Sequence, residues 1–216
     1  MKLIHKVAEV RHAVRAERIG ADAVATVWVE SGGHPGLHDL TYMILVPLTV
    51  KAVKIPVIAG GGINDTRTFV AALALGAEGV VMGTRFMATK ECSIHPKFKE
   101  WMVNAKESDT KIVMHSIKMN RRAMKNETAR KVLEKEQELE QKEASLEEIL
   151  EGLTPLISSK QTIKVFKQGE LDAGVASCGQ ILGLIDRILS VKEIIDDIIK
   201  GTEPTLQRLN SLLAWK

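Results

Sequence analysis

Along the first hundred residues, short apolar runs alternate with stretches in which apolar positions recur at helical spacing. "KLIHKV" (2–7) predicts a short strand. "AEVRHAVRAERIG" (8–20) then sets Val10, Ala13, Val14 and Ala16 on one helical face, and Gly20 suits the end of that helix. "ADAVATVWV" (21–29) is an apolar, β-branched run, as a strand buried on both faces requires. "DLTYMILVPLTVKAV" (39–53) reads as a helix that Pro47 either kinks or starts. The pattern repeats with a strand in "IPVIAG" (55–60), a helix in "DTRTFVAALALG" (65–76) with Asp65 as its N-cap, and a strand in "EGVVMG" (78–83). Gly20-Ala21-Asp22-Ala23-Val24 recurs as Gly76-Ala77-Glu78-Gly79-Val80, each at a helix end that feeds a strand. About four strands are legible, and they predict tandem βα units in a parallel sheet.

From about Pro96 the pattern changes. "FKEWMVNAKE" (98–107) predicts a helix, and the charged stretch 126–153 predicts two more, the second capped by Ser145. Its apolar positions hold no heptad long enough for a coiled coil. "VASCGQILGLIDRIL" (175–189) and "VKEIIDDIIK" (191–200) read as further amphipathic helices. The expected organisation is a βα core over 1–95, a helical lid over 96–172, and helices over 173–216 that return to the core.

Composition narrows the picture modestly. The 216 residues carry 45% hydrophobic side chains and a net charge of +3, with Lys and Glu interspersed. No basic face stands out, so nucleic acid is not an expected partner. No apolar run is long enough to span a bilayer, and the start lacks the apolar core of a signal peptide. Cys92 and Cys178 are far apart and outside metal-ligand spacing. A reduced, cytoplasmic protein is expected.

Three strand ends carry glycine: "ESGGHPG" (30–36), "AGGGIND" (59–65) and "MGTRF" (82–86). In a parallel sheet these ends share the side on which ligands bind. Gly61, Gly62, Gly83 and Thr84, from consecutive βα units, are the natural contacts of a phosphate held by adjacent loops and a helix N-terminus. The alternative is a set of tight turns without a ligand. His34 lies on the same side, where an imidazole could act as a base or orient a substrate. His38 invites a metal reading, but two histidines without a carboxylate, separated by Pro35-Gly36, are rejected as a metal site. Lys6 ends the first strand and either meets a phosphate or is a surface lysine. Ser177, Gly179 and Gln180 reach the site only if the C-terminal region folds back. Cys178 reads as packed rather than nucleophilic.

These stretches, with "TKECSIHPKFKEW" (89–101) and "GELDAGVASCGQILGLI" (169–185), resemble the nitronate monooxygenase family, formerly 2-nitropropane dioxygenases, to which flavin-dependent enoyl-ACP reductases are related. The resemblance implies an α/β fold, a (β/α)8 TIM barrel with a helical lid, binding FMN without a covalent link. It implies that Gly61, Gly62, Gly83 and Thr84 hold the FMN phosphate and that Lys6 and Gly33 contact the flavin. His34 matches the active-site histidine, and Ser177 a serine near the substrate. The implied activity is oxidation of an alkyl nitronate, or of the parent nitroalkane, with O2. NAD(P)H-dependent enoyl-ACP reduction is the alternative. Ser31 stands where alanine is common. Family members also carry about three βα units ahead of the position matching Met1, so the chain is expected to be an N-terminally truncated, partial barrel that binds FMN weakly. The resemblance admits a homo-oligomer, or a non-catalytic chain that needs a complementing partner.

Overall fold

The computed structural model describes residues 1–214. Residues 215 and 216, the end of the third expected segment, lie outside the described residues. Strands β1 (Ile4–Val7), β2 (Ala23–Val27), β3 (Val57–Gly60) and β4 (Gly79–Val81) form one parallel sheet in the order β1-β2-β3-β4. Their registers pair Ile4 with Ala23, Val24 with Val57, and Ile58 with Gly79. Helices α1 (Val10–Arg18), α2 (Tyr42–Ala52) and α3 (Thr66–Ala74) make the three crossovers. The four strands and three helices fall where the sequence pattern puts them.

Packing explains the order. Ala13 and Ala16 are small and fully buried, so α1 lies close on Val7, Val24 and Val57. A second core gathers Leu45, Val46, Ala59 and Ala72 from α2, β3 and α3 with Trp28 and Ile63 from the turns after β2 and β3. Pro47 lies inside α2 rather than at its first turn. The sheet is open, with β1 and β4 as its edges, and Ile4 and Val81 are 57% and 46% exposed there.

The remaining chain runs through α4 (Thr84–Met87), α5 (Pro96–Asn104), an antiparallel hairpin of β5 (Thr110–Val113) and β6 (Arg121–Met124), then α6 (Glu127–Gln141), α7 (Leu146–Ile157) and α8 (Ser159–Ile163). A π-helical turn over Lys164–Gln168 and a 3-10 turn over Gln180–Leu184 lead to α9 (Val191–Leu213). Ser145 caps α7 through a capping box with Glu148, as its sequence predicts. Two expectations need correction. The region after α5 contains a hairpin as well as helices. Residues 175–189 are extended and then 3-10, not one amphipathic helix, because Ala123 bridges Ser177 and the Met124 amide donates to the Ala176 carbonyl at 2.9 Å.

A buried carboxylate fixes the hairpin loop. Glu136 on α6 is fully buried and accepts from the Met114 and Ser116 amides at 3.0 and 2.9 Å. Helix α9 returns to α3, where the Thr66 hydroxyl donates to the Asp197 carbonyl at 3.0 Å. No helix among the described residues is long and apolar enough to cross a membrane.

Candidate active site

Parallel pairing puts the C-terminal ends of β1 to β4 on one rim. The turns that leave β2, β3 and β4 meet there, together with residues 177–181. They enclose a cavity of about 270 Å³ lined by Lys6, Gly61, Gly62, Gly83, Thr84 and Ser177, among others. The sequence proposed all six of these. Lys6 is the one charged lining residue, and its ammonium makes no hydrogen bond or ion pair with the described residues. Ser177 arrives because the C-terminal region does fold back.

The glycines of this rim differ in physical cause. Gly61 has φ of +97°, and a Cβ there would lie 1.9 Å from the Ser31 Oγ. The Ser31 hydroxyl donates to the Gly60 carbonyl at 2.9 Å, bracing the turn after β2 against the end of β3. Gly83 has no such constraint. Its φ is −104°, which any residue adopts, and nothing lies within 4 Å of a Cβ built there. Thr84 is buried, and its Oγ1 accepts from the Gly179 amide at 3.0 Å, tying the 3-10 turn to the cavity.

Gly33 and His34 stand beside this cavity rather than in it. The Gly33 amide donates to the Arg122 carbonyl at 3.1 Å and its carbonyl accepts from the Arg122 amide at 2.7 Å. Gly32 takes the lining position. His34 borders an adjoining cavity of about 310 Å³, and Lys6 and Val27 line both. The imidazole and the glycine turns therefore share one rim. His34 Nδ1 lies 3.1 Å from the Asn120 carbonyl, which can only accept. Nδ1 carries the proton in that bond, and Nε2 makes no hydrogen bond with the described residues.

The N-terminus of α3 is not open to an anion: Asp65 accepts from the Thr68 amide at 3.0 Å and pairs with Arg67. Gly83 and Thr84 instead open the short helix α4, whose N-terminus carries no side-chain cap. The hairpin residues Asn120, Arg121 and Arg122 escaped the sequence reading, because nothing in "MNRRAM" signals a strand or a neighbour at residues 33 or 177. Cys178 is fully buried, and burial pushes its thiol well above the ordinary cysteine range, as befits a packed residue. The described residues contain no cluster of metal-binding side chains.

Glu30 is the strained acid of the rim. Burial pushes its carboxyl up from 4.5, opposed by its own backbone amide and the Arg122 charge, and Oε2 is buried with no partner. A raised folded pKa means that the fold favours the protonated form. Glu30 therefore contributes stability below about pH 4.5 that is lost as pH rises through the raised value. Glu30→Gln, permanently neutral, is expected to gain stability relative to the parent as pH goes from 4 to 7 in thermal melts. A difference that does not change with pH contradicts this account.

Residues 1–201 match the family described as nitronate monooxygenase. A dehydrogenase of (3aS,4S,5R,7aS)-5-hydroxy-7a-methyl-1-oxo-octahydro-1H-indene-4-carboxyl-CoA from Rhodococcus jostii (strain RHA1) is 29% identical over 98% of this chain and 67% of its own length. Probable nitronate monooxygenases of Staphylococcus aureus are 39% identical over 52% of this chain and 34% of theirs. The structure of FabK from Thermotoga maritima superposes with a TM-score of 0.86 at 40% identity, covering 99% of this chain and 64% of that one. A nitroalkane oxidase from Streptomyces ansochromogenes shares the fold, with a TM-score of 0.75 at 22% identity. The chain thus spans about a third of the Staphylococcus relatives and just under two thirds of FabK.

Proposed function

The chain belongs to the nitronate monooxygenase family, and on that premise we propose that it is an FMN-dependent oxidoreductase whose cofactor is held at the glycine rim. Gly61, Gly62, Gly83 and Thr84 hold the FMN phosphate, and Lys6 offsets its charge. Gly33 borders the flavin through its contact with the rim. The observation that carries this reading is Gly83. Its backbone angles do not require glycine, and the space before it is one that a Cβ would enter. The flavin supplies electron transfer; the chain supplies position, charge and a proton. His34, with Nε2 free, gives or takes the proton beside the reacting carbon. Ser177 lies against the substrate.

Two substrates suit this arrangement, and both pass through an anion centred on a carbon next to an electron-withdrawing group. The family match and the Staphylococcus relatives favour an alkyl nitronate with O2. The extent of the other likenesses favours an enoyl thioester reduced with NAD(P)H. FabK, an enoyl-ACP reductase, is 40% identical over 99% of this chain. The Rhodococcus CoA-thioester enzyme also matches over 98% of it. We therefore put the thioester first and the nitronate second.

The test is direct. The chain is supplied with FMN, and flavin absorbance is followed in two assays. NADPH with crotonyl-CoA is expected to give turnover, and ethyl nitronate with O2 a slower reaction. Turnover of nitronate alone reverses the order of the substrates. Failure to bind FMN at any concentration defeats the proposal.

A further inference from the structure

We propose that Arg121 holds the charged oxygen of the substrate, with Ser177 fixing the orientation of its guanidinium. The flavoenzyme reading enters only in saying which oxyanion that is. Arg121 opens β6, and its neighbours fasten this strand to the rim. The Asn120 carbonyl holds His34, Arg122 pairs with Gly33, and Ala123 bridges Ser177. The Arg121 Nε donates to the Ser177 Oγ at 2.9 Å, and Ser177 lines the cavity.

The guanidinium is short of a counter-charge. Burial lowers the affinity of Arg121 for its proton with no acidic neighbour opposing it. Arg121 is half-buried, whereas the two buried arginines of this region have acidic neighbours: Arg85 has Asp186 and Asp197, with Arg187 opposing them, and Arg122 has Glu30 and Asp39. Arg121 forms no ion pair among the described residues. Its two terminal nitrogens make no hydrogen bond there, yet neither is sealed from solvent. A partly desolvated cation without a partner is unfavourable unless an anion completes it. With Nε committed to Ser177, the free edge of the fork presents two parallel N–H groups, which suit a planar oxyanion. A nitronate oxygen and the enolate oxygen of a thioester both present that chemistry.

The two sources separate kinetically. A nitronate is already charged when it binds, whereas an enolate acquires its charge only as the reaction proceeds. Removing one hydrogen-bonded charge predicts about a 30-fold effect. Arg121→Met is therefore expected to raise KM for ethyl nitronate by that factor, or to lower kcat for crotonyl-CoA reduction by it. FMN affinity should not move, and melting temperature should hold or rise, since an uncompensated cation is removed. Arg121→Lys keeps the charge but not the fork, and should recover only part of the loss. Effects within twofold in both assays, or losses that follow FMN release, overturn the proposal. If the parent chain turns over neither substrate, benzoate, a planar unreactive carboxylate, is titrated by calorimetry into the chain supplied with FMN. Binding that Arg121→Met abolishes upholds the assignment while the oxidoreductase reading falls; no binding, or binding that the variant retains, overturns the assignment.

Discussion

Gly61→Ala is expected to lose about 3–5 kcal/mol of stability, enough to lower the melting temperature by roughly 10 °C. Two costs combine. Alanine must adopt φ of +97°, and its Cβ would sit 1.9 Å from the Ser31 Oγ. Ser31 cannot step aside freely, because its hydroxyl holds the Gly60 carbonyl and accepts from the Trp28 amide at 3.3 Å. Adding Ser31→Ala is not expected to rescue the variant. The new Cβ would still lie 2.7 Å from the Cβ of residue 31, and the backbone angle is unchanged. Recovery of the parent's stability in the double variant, measured by urea unfolding, would show that the hydroxyl alone was the obstacle.

The opposite outcome is expected four residues after β3's partner strand begins. Gly83→Ala places a methyl in open space at an ordinary φ of −104°, so folding stability should hold or rise by about 0.5 kcal/mol. FMN affinity should fall by about 10-fold or more, as expected when a hydrogen bond to a charged group is displaced. Fluorescence quenching of FMN titrated into both proteins, alongside thermal melts, reads the two effects separately. A stable variant that binds FMN as well as the parent would remove Gly83 from the phosphate site and, with it, the main support for the flavin reading. The pair of substitutions therefore separates a glycine that the chain's own packing demands from one that it does not.

The core was legible because its signals are local. The buried run of β2, the helical spacing in α1 and the cap at Asp65 each act over a few residues, and tertiary packing agrees with them. The glycine turns were legible for the same reason, since parallel pairing alone brings Gly61, Gly62, Gly83 and Thr84 to one rim. What escaped depends on distant partners. β5 and β6 are four residues each and mix charged with apolar side chains, so neither period shows. Residues 175–178 look able to form a helix, but three of the four are completely buried and the segment hydrogen-bonds to β6. That pairing across some fifty residues overrides the local preference. Arg121 and Arg122 look alike in sequence and differ only in what surrounds them.

Three successive residues of β6 and its approach grip three different pieces of the rim: Asn120 the imidazole, Arg121 the serine, and Arg122 the backbone at Gly33. These groups are not independently adjustable. Displacing the hairpin would break all three contacts together, so in the proposed enzyme the imidazole, the serine and the Gly33 turn would lose their support at once. The loop of the same hairpin is anchored from outside the rim, by the buried carboxylate of Glu136.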